Sequence, residues 1–176
     1  MATIRKFVAY RRLERPYTRK SKYREKSYIR GSPHNKITRY NGGNLKGTFE
    51  YSVKLHAKAT LQIRDCALES ARLIVNRHCE KKIGLENFYL ALKPFPHHHL
   101  RENPLATGAG ADRLSTGMAF SFGKVIGLAA RIFKGDDVIE VRVNKDRLEI
   151  AKEIIHLAAS KLPCKTYITI EPVKKN

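Results

Sequence analysis

The stretch VIEVRVNKDRLEIAKEIIHLAASKLPCKTYITI, residues 138–170, decides the fold. It opens on Val138-Ile139-Glu140-Val141-Arg142-Val143, whose β-branched content reads as a strand. The period then changes. Leu148, Ala151, Ile155, Ala158 and Leu162 recur at three- and four-residue intervals, which lays one apolar stripe along a helix from about 146 to 161. Asn144 is a candidate N-cap, and Pro163, lacking an amide hydrogen, stops the helix. Lys165 to Ile170 returns to strand composition. Strand, helix and strand this close together belong to a mixed fold.

The same alternation of periods appears on working outward. Gly135-Asp136-Asp137 is a turn that joins the strand at 138 to another within Phe120–Phe133. Asn87–Lys93 alternates, with Phe88, Leu90 and Leu92 inward. Pro94 and Pro96 interrupt it, so a continuation through His97-His98-His99-Leu100-Arg101 is an edge strand. A helix is expected over about 62–82, with Ile63, Ala67, Ala71, Ile74 and His78 on one face and Gly84 ending it. Arg64 and Arg72 lie off that face, open to phosphate. Val53, Leu55 and Ala57 alternate with Ser52, Lys54 and His56, as in a half-buried strand. Gly42-Gly43-Asn44 is a turn signal upstream. The expected fold is α+β: two helices packed on one face of a mostly antiparallel sheet. The core would span residues 49–176, with a long Gly-, Ala- and Thr-rich loop at 102–118 and a basic extended arm at 1–48.

Charge separates the arm from the core. The 176 residues carry 35 Lys and Arg against 16 Asp and Glu, a formal net charge of +19. Residues 1–50 alone hold 14 cations and 3 anions, a net of +11. Tyr17, Tyr23, Tyr28 and Tyr40 are interleaved with those cations and follow no amphipathic period. On an RNA, each cation replaces a counterion at a phosphate, and each ring stacks on a base or sugar. A membrane-surface segment would instead show an amphipathic stripe. No apolar run approaches the ~20 residues of a spanning helix, and the N-terminus leads into no signal-peptide core. Cys66, Cys79 and Cys164 are odd in number and widely spaced, which points to a reducing compartment rather than a disulfide framework.

Catalytic and metal chemistry find little purchase. In an extended chain His97-His98-His99 alternates faces, so only His97 and His99 could converge on a metal, with no Cys or acidic cluster nearby. Thr107-Gly108-Ala109-Gly110 holds a GxG but neither GxGxxG nor a Walker pattern. Ser115 and Ser121 lack a nucleophile-elbow setting. Asp136 and Asp137 sit in a turn. No cofactor, metal or small-molecule substrate is expected.

Several blocks resemble one family. Lys93-Pro94-Phe95-Pro96-His97, Leu100-Arg101-Glu102-Asn103 and the run from Ala106-Thr107-Gly108-Ala109-Gly110-Ala111-Asp112-Arg113 to Ala119-Phe120-Ser121-Phe122-Gly123-Lys124 look like the large-subunit ribosomal protein sixteen family. Arg15–Arg19, Ile29–Ile37 and Leu68–Arg77 match its archaeal and eukaryotic branch, known as ten-e. The chain lacks the C-terminal extension usual in eukaryotic members, which implies an archaeal one. Asn103-Pro104-Leu105-Ala106 departs from eukaryotic members within the loop, and His97-His98-His99 from the more apolar residues common at that place.

The resemblance implies an α/β-hammerhead type of core and a structural role in the cytoplasmic large ribosomal subunit, without enzymatic activity. It implies contact with large-subunit (23S) rRNA near 5S rRNA, with tRNA in the aminoacyl-site cleft, and with neighbouring ribosomal proteins, but not with a membrane. Carried onto this chain, Tyr17, Arg19, Lys20, Lys22, Arg24, Lys26, Arg30, Lys36, Arg39, Arg64, Arg72, Arg77 and Lys124 would lie on rRNA. Arg101, Asn103, Thr107, Gly108, Gly110, Asp112 and Arg113 would belong to a loop near tRNA and the peptidyl-transferase region.

Overall fold

The computed structural model describes residues 5–13, 29, 31–102, 108–114 and 124–173. In chain order its elements are β1 (Asn41–Gly43), β2 (Tyr51–Ala57), β3 (Leu61–Arg64), α1 (Asp65–Lys82), β4 (Tyr89–Leu92), β5 (His98–Glu102), α2 (Ala111–Leu114), β6 (Lys124–Ile132), β7 (Asp137–Val143), α3 (Leu148–Ala159) and β8 (Thr166–Pro172). Two antiparallel sheets form, one in the order β1-β4-β7-β2-β8 and one in the order β3-β6-β5. The fold is α+β, as the alternating periods require, although the second sheet is an addition to the single one expected.

Helix α3 lies across β2, β7 and β8, while α1 packs against α3 and reaches both sheets. Val53, Leu55, Val141, Val143, Ile154 and Ile155 are wholly buried between them. The α3 stripe holds at Ala151, Ile155, Ala158 and Leu162, and Ile154 joins it. Asn144 precedes a short 3-10 turn at Lys145–Arg147 and makes no side-chain cap. Its carbonyl instead accepts the amide of Arg147 at 3.1 Å.

Helix α1 departs from its expected register. Arg64 is extended (φ −67°, ψ 149°), so the helix starts at Asp65 and Ile63 is a strand residue. The buried face is Asp65, Leu68, Ala71, Arg72, Val75 and Cys79. Ile74 and His78 lie at its margin. Anchoring the stripe on Ile63 turned it by about one residue, and a buried arginine hid the true face. Gly84 ends the helix as expected: its φ is +88°, and its amide reaches the Cys79 carbonyl at 3.1 Å.

The turn expected at Gly42-Gly43-Asn44 is a strand. Residues 41–43 pair with β4, Gly43 opposite Tyr89. Gly43 has a φ of +74°, and a Cβ there would collide with the Phe88 carbonyl oxygen and ring. Upstream, Ile37 is buried in the main core and Tyr40 packs against it, so residues assigned to the arm by composition enter the packed structure. The continuation at 98–102 is an edge strand, as the prolines demand. Within the expected loop, Ala111–Leu114 form one helical turn.

Strand β2 is more buried than its alternation implied. It is flanked by β7 and β8, and its polar side, Ser52 and His56 included, is covered by neighbouring side chains.

Candidate nucleic-acid interface

The outer face of the five-stranded sheet neutralises itself. Glu140, buried on β7, accepts from Ser52 Oγ at 2.9 Å and Arg142 Nε at 2.7 Å, and pairs with Lys93. Burial alone would raise its carboxyl pKa, but Arg142, Lys93 and Ser52 together hold it down to about 2. Lys54 pairs with Glu171 at 2.7 Å, and His56 lies 2.9 Å from Asp137 and stacks on Tyr167. Cations there are already spoken for.

At the three-stranded sheet the balance differs. Among the described residues, buried polar atoms without a partner include Gln62 Oε1 and Arg64 Nε on β3, His99 Nδ1 on β5 and Arg131 Nε on β6. Buried polar groups in a finished structure are paired, so this end of the molecule holds unspent hydrogen-bonding capacity. Burial, then Arg101 and His97, push the His99 pKa down, which keeps that ring neutral.

The residues named from the resemblance fall into three sets. Lys36 and Arg39 are exposed on a segment fixed against the start of α1. The Lys36 amide donates to Asp65 at 3.3 Å, and Thr38 Oγ1 donates to Glu69 at 3.3 Å. Arg77 is exposed on α1. Arg64 donates to the Arg5 carbonyl at 3.2 Å, with its guanidinium 6.0 Å from the Tyr10 ring centre.

Arg72 belongs to a second set and corrects the expectation that it stands off the buried face. It is 7% exposed and grips Glu69 bidentately, at 2.8 Å and 2.7 Å, with a third bond to Thr38. The Glu69 pKa is lowered, foremost by that arginine. Arg72 is therefore a structural cation.

The third set surrounds the long loop. Glu102 and Lys124 face each other across β5 and β6, so the two roots of the loop are adjacent, with Arg101 beside them. Gly108 and Gly110 have φ of +120° and +80°, and added Cβ atoms would meet nothing within 4 Å. Asp112 and Arg113 are exposed on α2. Tyr17, Arg19, Lys20, Lys22, Arg24, Lys26, Arg30, Asn103 and Thr107 lie outside the described residues.

One arrangement escaped the sequence reading. A 3-10 turn at Phe7–Tyr10 docks on the three-stranded sheet, where Tyr10 is buried with Leu100 and Ala129. Tyr10 Oη donates to Glu102 at 3.2 Å, and Arg5 pairs with the same carboxylate. The apolar run Phe7-Val8-Ala9-Tyr10 ahead of Arg11-Arg12 was the available signal, too short to show a period.

Among the described residues no cluster could hold a metal ion, and no helix is long and apolar enough to cross a membrane. Residues 14–169 match the family model described as ribosomal protein L16p/L10e. Large ribosomal subunit protein uL16 of Archaeoglobus fulgidus is 44% identical, over 92% of this chain and 90% of its own length. The protein of that name from Staphylothermus marinus is 44% identical, over 90% and 88%. The one from Sulfolobus acidocaldarius is 46% identical, over 87% and 88%. A match of this extent, over the core, the loop and most of the basic segment, settles the matter of kinship: the chain belongs to the ribosomal protein L16p/L10e family.

Proposed function

We propose that the chain is a structural, non-catalytic constituent of the cytoplasmic large ribosomal subunit. It binds large-subunit rRNA near 5S rRNA and the aminoacyl-site cleft, and directs the loop at 102–118 toward tRNA and the peptidyl-transferase region. The observation that supports RNA binding most is the sorting of cations. Those on the outer face of the five-stranded sheet are consumed by internal ion pairs. Lys36, Arg39, Arg77, Arg113 and Lys124 have no carboxylate partner among the described residues and face outward. Such cations supply affinity by displacing counterions from phosphate, and RNA shape supplies selectivity.

Sucrose-gradient sedimentation of a tagged copy tests the assignment. The chain should travel with the large subunit and be released by ribonuclease. Sedimentation as a free protein in cells with intact subunits would overturn it. Deleting residues 104–114 tests the loop: subunit association should persist while tRNA accommodation slows. Normal peptide synthesis after that deletion would remove the loop's proposed role.

A further inference from the structure

The long loop leaves the three-stranded sheet at Glu102 and the chain re-enters it at Lys124, and these two residues pair across the ladder. The ladder is irregular there. Its register shifts between Leu100 and Arg101, so the last two pairs, Arg101 with Val125 and Glu102 with Lys124, are set off from the rest. A bulge interrupts the run of ladder hydrogen bonds and bends the strand. Sheet pairing alone therefore holds the loop root less firmly than it holds the middle of β5.

Glu102 shows what holds the root instead. Its side chain is 12% exposed, and a carboxylate so covered needs partners. Tyr10, 92 residues away in the chain, donates to it from Oη at 3.2 Å. Arg5 forms an ion pair with the same carboxylate. The Arg5 amide in turn donates to Tyr10 Oη at 3.0 Å, so that hydroxyl is used both as donor and as acceptor. The N-terminal turn is also tied to the far edge of the sheet. Gln62 on β3 donates to the Tyr10 carbonyl, and Arg64 donates to the Arg5 carbonyl at 3.2 Å. The turn thus bridges both edge strands, β3 and β5. Filling the apolar site beside Leu100 and Ala129 needs only a ring, and phenylalanine would serve. The hydroxyl and Arg5 converge instead on the last residue of β5.

We propose that Arg5 and Tyr10 clamp Glu102, and that Glu102 is a positioning residue that fixes the root of the loop for its work at tRNA. The assignment rests on the reading of the loop given above and adds to it the part of the molecule that aims the loop. Two measurements test it. Hydrogen exchange of the full free chain reads the root directly, at the amides of Arg101, Glu102, Lys124 and Val125. Accommodation of aminoacyl-tRNA on large subunits carrying the chain reads the consequence. The variants are Tyr10→Phe, Glu102→Gln and the reversed pair Arg5→Glu with Glu102→Arg, beside the deletion of 104–114. Tyr10→Phe keeps the buried ring, so its circular dichroism should match the wild type. Exchange at the root should nevertheless quicken about tenfold, the factor that one hydrogen bond to a charged group carries. Glu102→Gln should do the same. Both variants should enter the large subunit normally and yet slow accommodation severalfold. The reversed pair should bring both readings back towards the wild type, since Tyr10 Oη can accept from an arginine as well as donate to a carboxylate.

Wild-type exchange at the root in Tyr10→Phe or Glu102→Gln would overturn the clamp. A reversed pair as impaired as Glu102→Gln would also overturn it, because lost packing would then explain the effect. Quickened exchange with wild-type accommodation, in a system where deleting 104–114 slows it, would overturn the positioning role and leave the loop reading standing. Normal accommodation after the deletion would bring down the loop reading, and exchange at the root would still decide the clamp.

Discussion

At the scale of single residues, two arginines show why position outweighs type. Arg72 and Arg39 were both expected to lie on rRNA. Arg72 is enclosed by Glu69 and Thr38, whereas Arg39 faces solvent. Removing one member of a buried pair strands the other charge, so Arg72→Ala should cost about 3 kcal/mol in urea unfolding. Arg39→Ala should change stability by less than ~0.5 kcal/mol while weakening RNA binding. An Arg72→Ala chain as stable as the wild type would mean that the pair is not built as described. Glu140 carries a second prediction. Its carboxyl is held at about 2, below the ordinary 4.5, because folding surrounds it with Arg142, Lys93 and Ser52. The unfolded chain takes up that proton first. The stabilisation is therefore present above about pH 4.5 and is lost as pH falls toward 2. Acid titration of thermal stability should show this loss, and Glu140→Gln should be flatter over the same window. Identical acid profiles for the two chains would contradict it.

At the scale of elements, the legible parts were those with an unbroken period. The α3 stripe and β7 could be read directly, because apolar residues occupied the buried positions almost without exception. Helix α1 was found but turned, since Asp65 and Arg72 are buried where a period search expects apolar groups. β1 was missed for a physical reason. Gly42 and Gly43 resemble a turn by composition, but Gly43 is required because its backbone passes against Phe88. Gly43→Ala should destabilise the chain by more than ~1 kcal/mol, through both the positive φ and the collision. Gly108→Ala, whose Cβ meets nothing, should suffer only the backbone strain and lose less. Equal losses in thermal unfolding would place the strain elsewhere. Two strands of the three-stranded sheet, those at 98–102 and 124–132, were legible, but Leu61–Arg64 read as the start of the helix, and the splitting of these strands into a second sheet is set only by the tertiary fold.

At the scale of the whole molecule, charge is arranged as well as abundant. A net +19 on 176 residues opposes compaction. Among the described residues, the fold copes by pairing cations on one sheet face and keeping Lys36, Arg39, Arg77, Arg113 and Lys124 outward. The cation excess was legible from composition, and the family from the resemblance of its sequence blocks, whereas the docking of Phe7–Tyr10 needed three dimensions. Thermal stability of the free chain should rise once salt or a polyanion screens those charges, and an unchanged melting temperature would contradict this.

Isothermal binding of the full chain to large-subunit rRNA, repeated over a salt series, measures the central claim most directly. With about 6–10 phosphates neutralised, affinity should fall roughly 10³–10⁵-fold between about 50 and 200 mM salt, along a straight line in the logarithms. Affinity that stays level across that range would show that something other than phosphate holds the chain in place.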